Sequence, residues 1–180
     1  FDLGGVLVQI HRSALQALHS LDGAPDKQVN FRNPSAYLSL NGRYQAGQLT
    51  LDELLSSLQS ELTEPVSLDV LRAAHDSILR GEYDGAGLAV ERLRSQGVAT
   101  CVLSNTCSRH WQRLKSWESV RMPSSDGCFL SFELGAVKPD VAIYKMVQDA
   151  LGLQPSDIAF VDDSAMNIEA ARSMGWRAFL

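Results

Sequence analysis

The chain divides into two stretches of different hydrophobic period. Phe1-Asp2-Leu3-Gly4-Gly5-Val6-Leu7-Val8 is an apolar, β-prone run interrupted by one acid and two glycines, which predicts a short buried strand ending in a carboxylate and a tight turn. From there to about residue 85 the period is helical. Ala14, Leu15, Ala17, Leu18 and Leu21 make one face, which Asp22-Gly23-Ala24-Pro25 should stop. Residues 34–40 read as a second short helix and residues 41–47 as a turn-rich link. Thr50-Leu51-Asp52-Glu53 is a capping box: the Thr50 hydroxyl accepts from a first-turn amide while Glu53 reaches back to the cap N–H. It opens a helix through Leu62 that Pro65 ends, and Leu71, Ala74, Ile78 and Leu79 share one face of the next. No strand is predicted between residues 11 and 85.

The pattern changes at Asp84. Residues 88–96 read as a helix stopped by Gly97, residues 98–104 as a strand buried on both faces, and residues 105–117 as a helix. A short strand at 128–131 follows, then a helix with Pro139 in its first position running to about Leu151. A strand at 157–161, a helix at 164–174 closed by Gly175 and a last strand from Trp176 complete the series. Strand and helix in alternation predict right-handed crossovers and a parallel sheet covered on both faces. The expected fold is α/β: a three-layer, Rossmann-like core of residues 1–10 and 86–180, with an α-helical cap of residues 11–85 inserted after the first strand.

Length and composition narrow the function. At 180 residues and 45% hydrophobic, the chain can bury a core and carry one sizeable insert. A net charge of −5 with no basic stripe argues against nucleic acid, and the apolar runs are too short for a membrane span, so neither partner is expected. A monomer or a homodimer is expected. No charged-then-apolar leader precedes the fold, and the ends, without an initiator Met and closing on Trp176-Arg177-Ala178-Phe179-Leu180, read as those of a trimmed chain. Cys101, Cys107 and Cys128 form no paired framework, which suggests reduced thiols in a cytoplasm. The four histidines have no metal-ligand spacing, and none is placed beside Cys107.

In an open α/β sheet, ligands collect at the carboxyl ends of the strands. Those ends carry Asp2, then Ser104-Asn105-Thr106, then Ser131, then Asp162-Asp163-Ser164, with Lys138 on a loop nearby. Three carboxylates converging on one buried rim repel one another unless a cation sits among them, and hard oxygen donors with room for water suit Mg²⁺. Asp2, a backbone carbonyl and Asp163 would hold such an ion, and the free oxygen of Asp2 would attack a phosphoryl group in line. Lys138 would offset the charge, while Ser104, with Asn105 and nearby amides, would bind the phosphoryl oxygens. The expected substrate is a small phosphorylated metabolite.

Phe1-Asp2-Leu3-Gly4-Gly5-Val6-Leu7, Leu103-Ser104-Asn105-Thr106, Leu134-Gly135-Ala136-Val137-Lys138-Pro139-Asp140 and Phe160-Val161-Asp162-Asp163-Ser164 with Asn167 resemble, in order and spacing, the four motifs of the haloacid dehalogenase superfamily. The likeness spans essentially the whole chain, and Tyr44-Gln45-Ala46-Gly47-Gln48-Leu49-Thr50 with Glu53 resembles the helical cap of its phosphatase branch, of the α-D-glucose-1-phosphate phosphatase type. The resemblance implies that Asp2 is the nucleophile, Ser104 the phosphate-binding hydroxyl, Lys138 the motif lysine and Asp163 a metal ligand. Asp162 would be a second ligand or hold a metal-bound water, with Asn167 supporting it. The family's second Asp, a general acid that also binds metal through its carbonyl, is Gly4 here, so the carbonyl is retained and the acid is missing. A positioned acid is typically worth roughly 10² to 10⁴ in rate. A halide leaves without a proton, so dehalogenation is the rival enzyme reading, and a catalytically weak binding module is the third. His11 is a candidate for the missing proton; Arg43, Tyr44 and Trp111 are candidates for substrate contact or packing.

Overall fold

A computed structural model of the chain describes residues 1–22 and 29–180, so the predicted stop at Gly23, Ala24 and Pro25 lies outside the described residues. The order is β1 (Val8–Ile10), α1 (Ala14–His19), α2 (Pro34–Gln45), α3 (Leu51–Glu61), α4 (Leu68–Ser77), β2 (Leu79–Glu82), α5 (Ala86–Ser95), β3 (Val102–Ser104), α6 (Ser108–Leu114), α7 (Glu118–Ser124), β4 (Cys128–Leu130), α8 (Ser131–Leu134), α9 (Val141–Leu151), β5 (Ala159–Val161), α10 (Ala165–Ser173) and β6 (Arg177–Phe179).

Two parallel pairs, β3 with β4 and β5 with β6, flank the first two residues. The Phe1 nitrogen donates to the Cys101 carbonyl at 2.8 Å, and the Phe1 carbonyl accepts from Leu103 at 2.9 Å. On the other side Asp2 donates to the Val161 carbonyl at 2.9 Å, so the opening residues join both pairs into one parallel sheet. Successive strand side chains point to opposite faces. Accordingly Val102 packs with Leu3, Val90, Val120 and Leu130, whereas Leu103 packs with Ile143, Tyr144, Phe160 and Trp176 on the other face. Helices cover both faces, which makes the three-layer Rossmann-like architecture.

Residues 1–8 are not one strand. After Asp2 the chain folds tightly: Leu7 and Val8 both donate to the Leu3 carbonyl, at 2.9 and 2.8 Å, and Gly5 takes φ +83°, a left-handed conformation that favours glycine. Val8–Ile10 then pairs antiparallel with Leu79–Glu82, the strand not expected inside residues 11–85. Leu79-Arg80-Gly81-Glu82 has no alternating pattern of its own; it is extended because the ribbon satisfies its backbone.

Other differences have local causes. Helix α2 continues through Asn41, Gly42 and Arg43 to Gln45 because Tyr44 is buried and Gly42 meets no neighbour; the turn falls instead at Gly47, where a Cβ would lie 2.6 Å from the Phe132 carbonyl oxygen. Only Val102–Ser104 of the strand at 98–104 joins a ladder, since its partner β4 begins at Cys128. The helix expected at 105–117 begins at Ser108, because residues 105–107 form the loop at the strand end, and α7 and α8 were not anticipated. Helix α9 starts after Pro139: Asp140 caps it by accepting the Ala142 N–H at 2.9 Å. The Thr50–Glu53 capping box is present with both reciprocal bonds. Helices α1, α3 and α4 share a separate cluster around Leu18, Leu55 and Ala74, so the helical block has its own core.

Candidate active site

Lys138 organises the rim. Its ammonium, nearly fully buried, donates to Asp2 Oδ1 at 2.8 Å, Asp162 Oδ2 at 2.6 Å and the Leu103 carbonyl at 3.0 Å, which uses all three of its donors. Its position is set by Asn105, whose side-chain amide accepts from the Lys138 N–H at 2.8 Å and donates to the Lys138 carbonyl at 2.9 Å. Asn105 therefore positions the lysine, and its second amide proton is left beside the cavity that Gly4 and Ser104 line.

Asp162 is 0% exposed and also accepts from the Ser164 N–H at 2.9 Å and from Asn167 Nδ2 at 2.9 and 3.0 Å. With Lys138 that fills about the four lone-pair positions a carboxylate offers. Expected as a second metal ligand or the holder of a metal-bound water, Asp162 here anchors Lys138 and the start of α10, and Asn167 supports it there. Asp163 has a different cation: its Oδ2 lies 2.6 Å from Arg12 Nη1. The rim thus contains two cations of its own, and the carboxylate pair does not depend on a metal to be tolerated.

Gly5 explains how Asp163 comes so near. A Cβ at Gly5 would stand 2.2 Å from Asp163 Oδ2, so only glycine admits the carboxylate over this turn. Asp2, Asp162 and Asp163 each bring a carboxylate oxygen within 4.8 Å of the others. The Gly4 carbonyl accepts no backbone hydrogen bond among the described residues. Asp2, the Gly4 carbonyl and Asp163 offer hard oxygen donors at the rim, Asp163 with Arg12, whose side chain is 67% exposed, as its ion-pair partner. This donor set fits a small divalent cation such as Mg²⁺. Burial pushes the Asp2 carboxyl up; Lys138 opposes that and the Asp162 charge reinforces it.

Ser104 is buried at the strand end, and its hydroxyl has no partner among the described residues. Ser131 does not face the rim: its hydroxyl accepts from the Thr106 N–H and donates to the Thr106 carbonyl, both at 3.0 Å, clasping the loop. His11 lines a cavity of about 150 Å³ together with Gly4 and Ser104. Burial, with Arg80 adding to it, holds the His11 imidazole below its ordinary value, which disfavours the protonated ring that a proton donor needs. Tyr44 lines that cavity and a neighbouring groove of about 840 Å³, while Trp111 packs against the core.

Two features went unread in the sequence. Arg12, next to His11, gave no sign of reaching Asp163, because the tight turn that aims it is a property of the fold. The scattered histidines are not all scattered in space: His75 and His110 stack with ring centroids 4.2 Å apart beside Cys107. The only local signal was the spacing of Cys107 and His110, which puts both on one turn at the start of α6.

The chain belongs to the haloacid dehalogenase-like hydrolase family, whose description matches residues 1–175. Among its relatives it is 26% identical to the D-ribitol-5-phosphate phosphatase of Bacteroides thetaiotaomicron, over 99% of this chain and 88% of that protein. It is 32% identical to the (S)-2-haloacid dehalogenase 4A of Burkholderia cepacia, over 98% of this chain and 78% of that one. Some relatives are longer: the chain spans 60% of the phosphatase MT3486 of Mycobacterium tuberculosis and 13% of the acyl-CoA dehydrogenase family member 10 of Mus musculus. A HAD family enzyme from Bacteroides thetaiotaomicron, solved with magnesium and inorganic phosphate, superposes with a TM-score of 0.73 at 26% identity, over 99% of this chain and 90% of that one.

Proposed function

We propose that the chain is a Mg²⁺-dependent phosphatase of a small phosphorylated metabolite, a sugar phosphate in our reading, with Asp2 as nucleophile. The observation that carries this reading is the second carboxylate: Asp163 is held over Gly5, beside Asp2, where only glycine gives it room. A bound cation at Asp2, the Gly4 carbonyl and Asp163 would neutralise the phosphoryl oxygens when present. Asp2 attacks phosphorus and the bond to the leaving oxygen breaks, giving an aspartyl-phosphate; water then attacks phosphorus, releases phosphate and restores the carboxylate. Lys138 holds Asp2 in one orientation and offsets its charge, and the Ser104 hydroxyl is available to a phosphoryl oxygen. Gly4 offers no proton to the leaving oxygen, so activated esters should turn over faster than alkyl ones. Residues 11–85 act as the cap that closes over the rim and excludes water.

A second reading has its own observation. Arg12 neutralises Asp163 without any metal, and a halide needs no proton, so the same Asp2 could displace halide from carbon. One experiment separates the two: phosphate release from a panel of sugar phosphates with Mg²⁺ or with chelator, beside chloride release from 2-chloropropionate. Phosphate release abolished by chelator is expected. Chloride release that ignores the chelator would replace the phosphatase reading with the dehalogenase one, and turnover of neither substrate would favour a binding module.

A further inference from the structure

The cavity beside the rim has a second polar wall that phosphoryl transfer does not use. Cys107 is the N-cap of α6, and its Sγ accepts the His110 N–H at 3.5 Å. His75 Nε2 lies 3.9 Å from the same sulfur, with the His110 ring stacked on the His75 ring and Tyr44 edge-on to it. His110 Nε2 is 2.9 Å from the His75 carbonyl, which orients its ring. Beyond these, Asp76 stands 3.7 Å from His75 Nδ1 and is clasped by Arg109; His75 Nδ1 itself is buried without a hydrogen-bond partner.

The cluster is not arranged for a metal shared by the two histidines. Their rings stack with 18° between planes and 4.2 Å between centroids. An ion at about 2.0–2.1 Å from one nitrogen and in its ring plane would lie far out of the other's. What the groups do favour is a negatively charged sulfur. Burial works against the thiolate, but the donors from His110, His75 and Tyr44 together outweigh it and bring Cys107 down to about 5. The sulfur also holds His110 above its ordinary value, against the effect of burial. Cys101 and Cys128 have no such donors, and burial pushes both up, Cys128 to about 11.

Cys107 is 2% exposed, yet it lines both the cavity of about 150 Å³, with Gly4 and Ser104, and the groove of about 840 Å³ beside it. We propose that Cys107 is a modification site, a thiolate paired with His110 that small hydroperoxides oxidise, and that the added oxygen obstructs the cavity leading to the rim. In the step, the thiolate attacks one peroxide oxygen and the O–O bond breaks. Sulfur is oxidised to sulfenic acid, and the departing hydroxide, or alkoxide from an alkyl hydroperoxide, takes a proton from the His110 ring and leaves as water or alcohol. Two equivalents of added thiol reverse it, the first releasing water to form a mixed disulfide and the second freeing the Cys107 thiol.

Peptide mass spectrometry of the native chain, treated briefly with methyl methanethiosulfonate or hydrogen peroxide near neutral pH, tests this without any substrate, so its outcome is independent of the phosphatase reading. Cys107 should react at least roughly tenfold faster than Cys101 and Cys128, and His110→Gln should remove that advantage while leaving the other two unchanged. In an activity arm, peroxide should abolish turnover until dithiothreitol is added, and Cys107→Ser, or Cys107→Ala if the serine variant misfolds, should resist. Cys107 reacting no faster than the other cysteines, or only in denaturant, would overturn the assignment. Full turnover by the oxidised protein would overturn the obstruction.

Discussion

The carboxylate rim and the thiol–imidazole cluster treat burial in opposite ways. At the rim Asp2 shares a single ammonium with Asp162, and burial wins: its carboxyl is pushed up. In the cluster Cys107 receives donors from His110, His75 and Tyr44 without sharing them, and burial loses. The direction of a buried group's shift is thus set by how many donors it keeps for itself, not by depth alone. At the rim each carboxylate has a cation within reach, Lys138 shared by Asp2 and Asp162 and Arg12 beside Asp163, whereas the cluster leaves His75 Nδ1 without a partner.

The strongest way to break this contrast is Lys138→Met. It strands Asp2 and Asp162 as buried charges, and losing one partner of a buried ion pair costs about 3–5 kcal/mol. Urea denaturation should report that loss together with the disappearance of turnover; an unchanged midpoint would mean the carboxylates find solvent. Next in size is the acid limb of kcat/KM. Asp2 must be ionised to attack, and burial raises its carboxyl before a cation binds, so at subsaturating Mg²⁺ activity should already fail above the ordinary carboxylate value of 3.8 as pH falls, at about tenfold per unit. A limb below that value would show that Lys138 outweighs burial.

Gly5→Ala imposes φ +83° on a side chain and drives a Cβ into Asp163. A left-handed non-glycine residue costs roughly 1–2 kcal/mol, and the displaced carboxylate should raise the Mg²⁺ concentration for half-maximal activity by about tenfold or more. An unaltered Mg²⁺ requirement would remove Asp163 from the metal site. Smallest is Arg12→Ala. An exposed ion pair is worth about 0–1 kcal/mol, so freeing Asp163 should lower that Mg²⁺ requirement by no more than about fivefold. A higher requirement would mean that Arg12 supports the ligand and does not compete for it.

The same contrast explains what the sequence disclosed. The rim is built from contiguous motifs at strand ends, so the α/β period and the position of Asp2, Ser104, Lys138 and Asp163 could be read directly from local order. Their bonding could not: whether Asn105 faces substrate or the Lys138 backbone, and whether Asp162 keeps a free lone pair, depend on the rotation of single side chains. The strand Leu79–Glu82 exists only through its partner Val8–Ile10 and has no pattern to betray it. The cluster gathers Tyr44, His75, Cys107 and His110 from three helices and a loop, and no spacing in the chain links His75 to the others.

The most direct test of Asp2 as a phosphoryl-transfer nucleophile is the stereochemical course at phosphorus. Two in-line displacements, by Asp2 and then by water, invert phosphorus twice, so a phosphorothioate ester made chiral with oxygen isotopes and hydrolysed in isotopically labelled water with Mg²⁺ should give inorganic thiophosphate of net retained configuration. Net inversion means that water displaced the leaving group in a single step. That result would contradict the account.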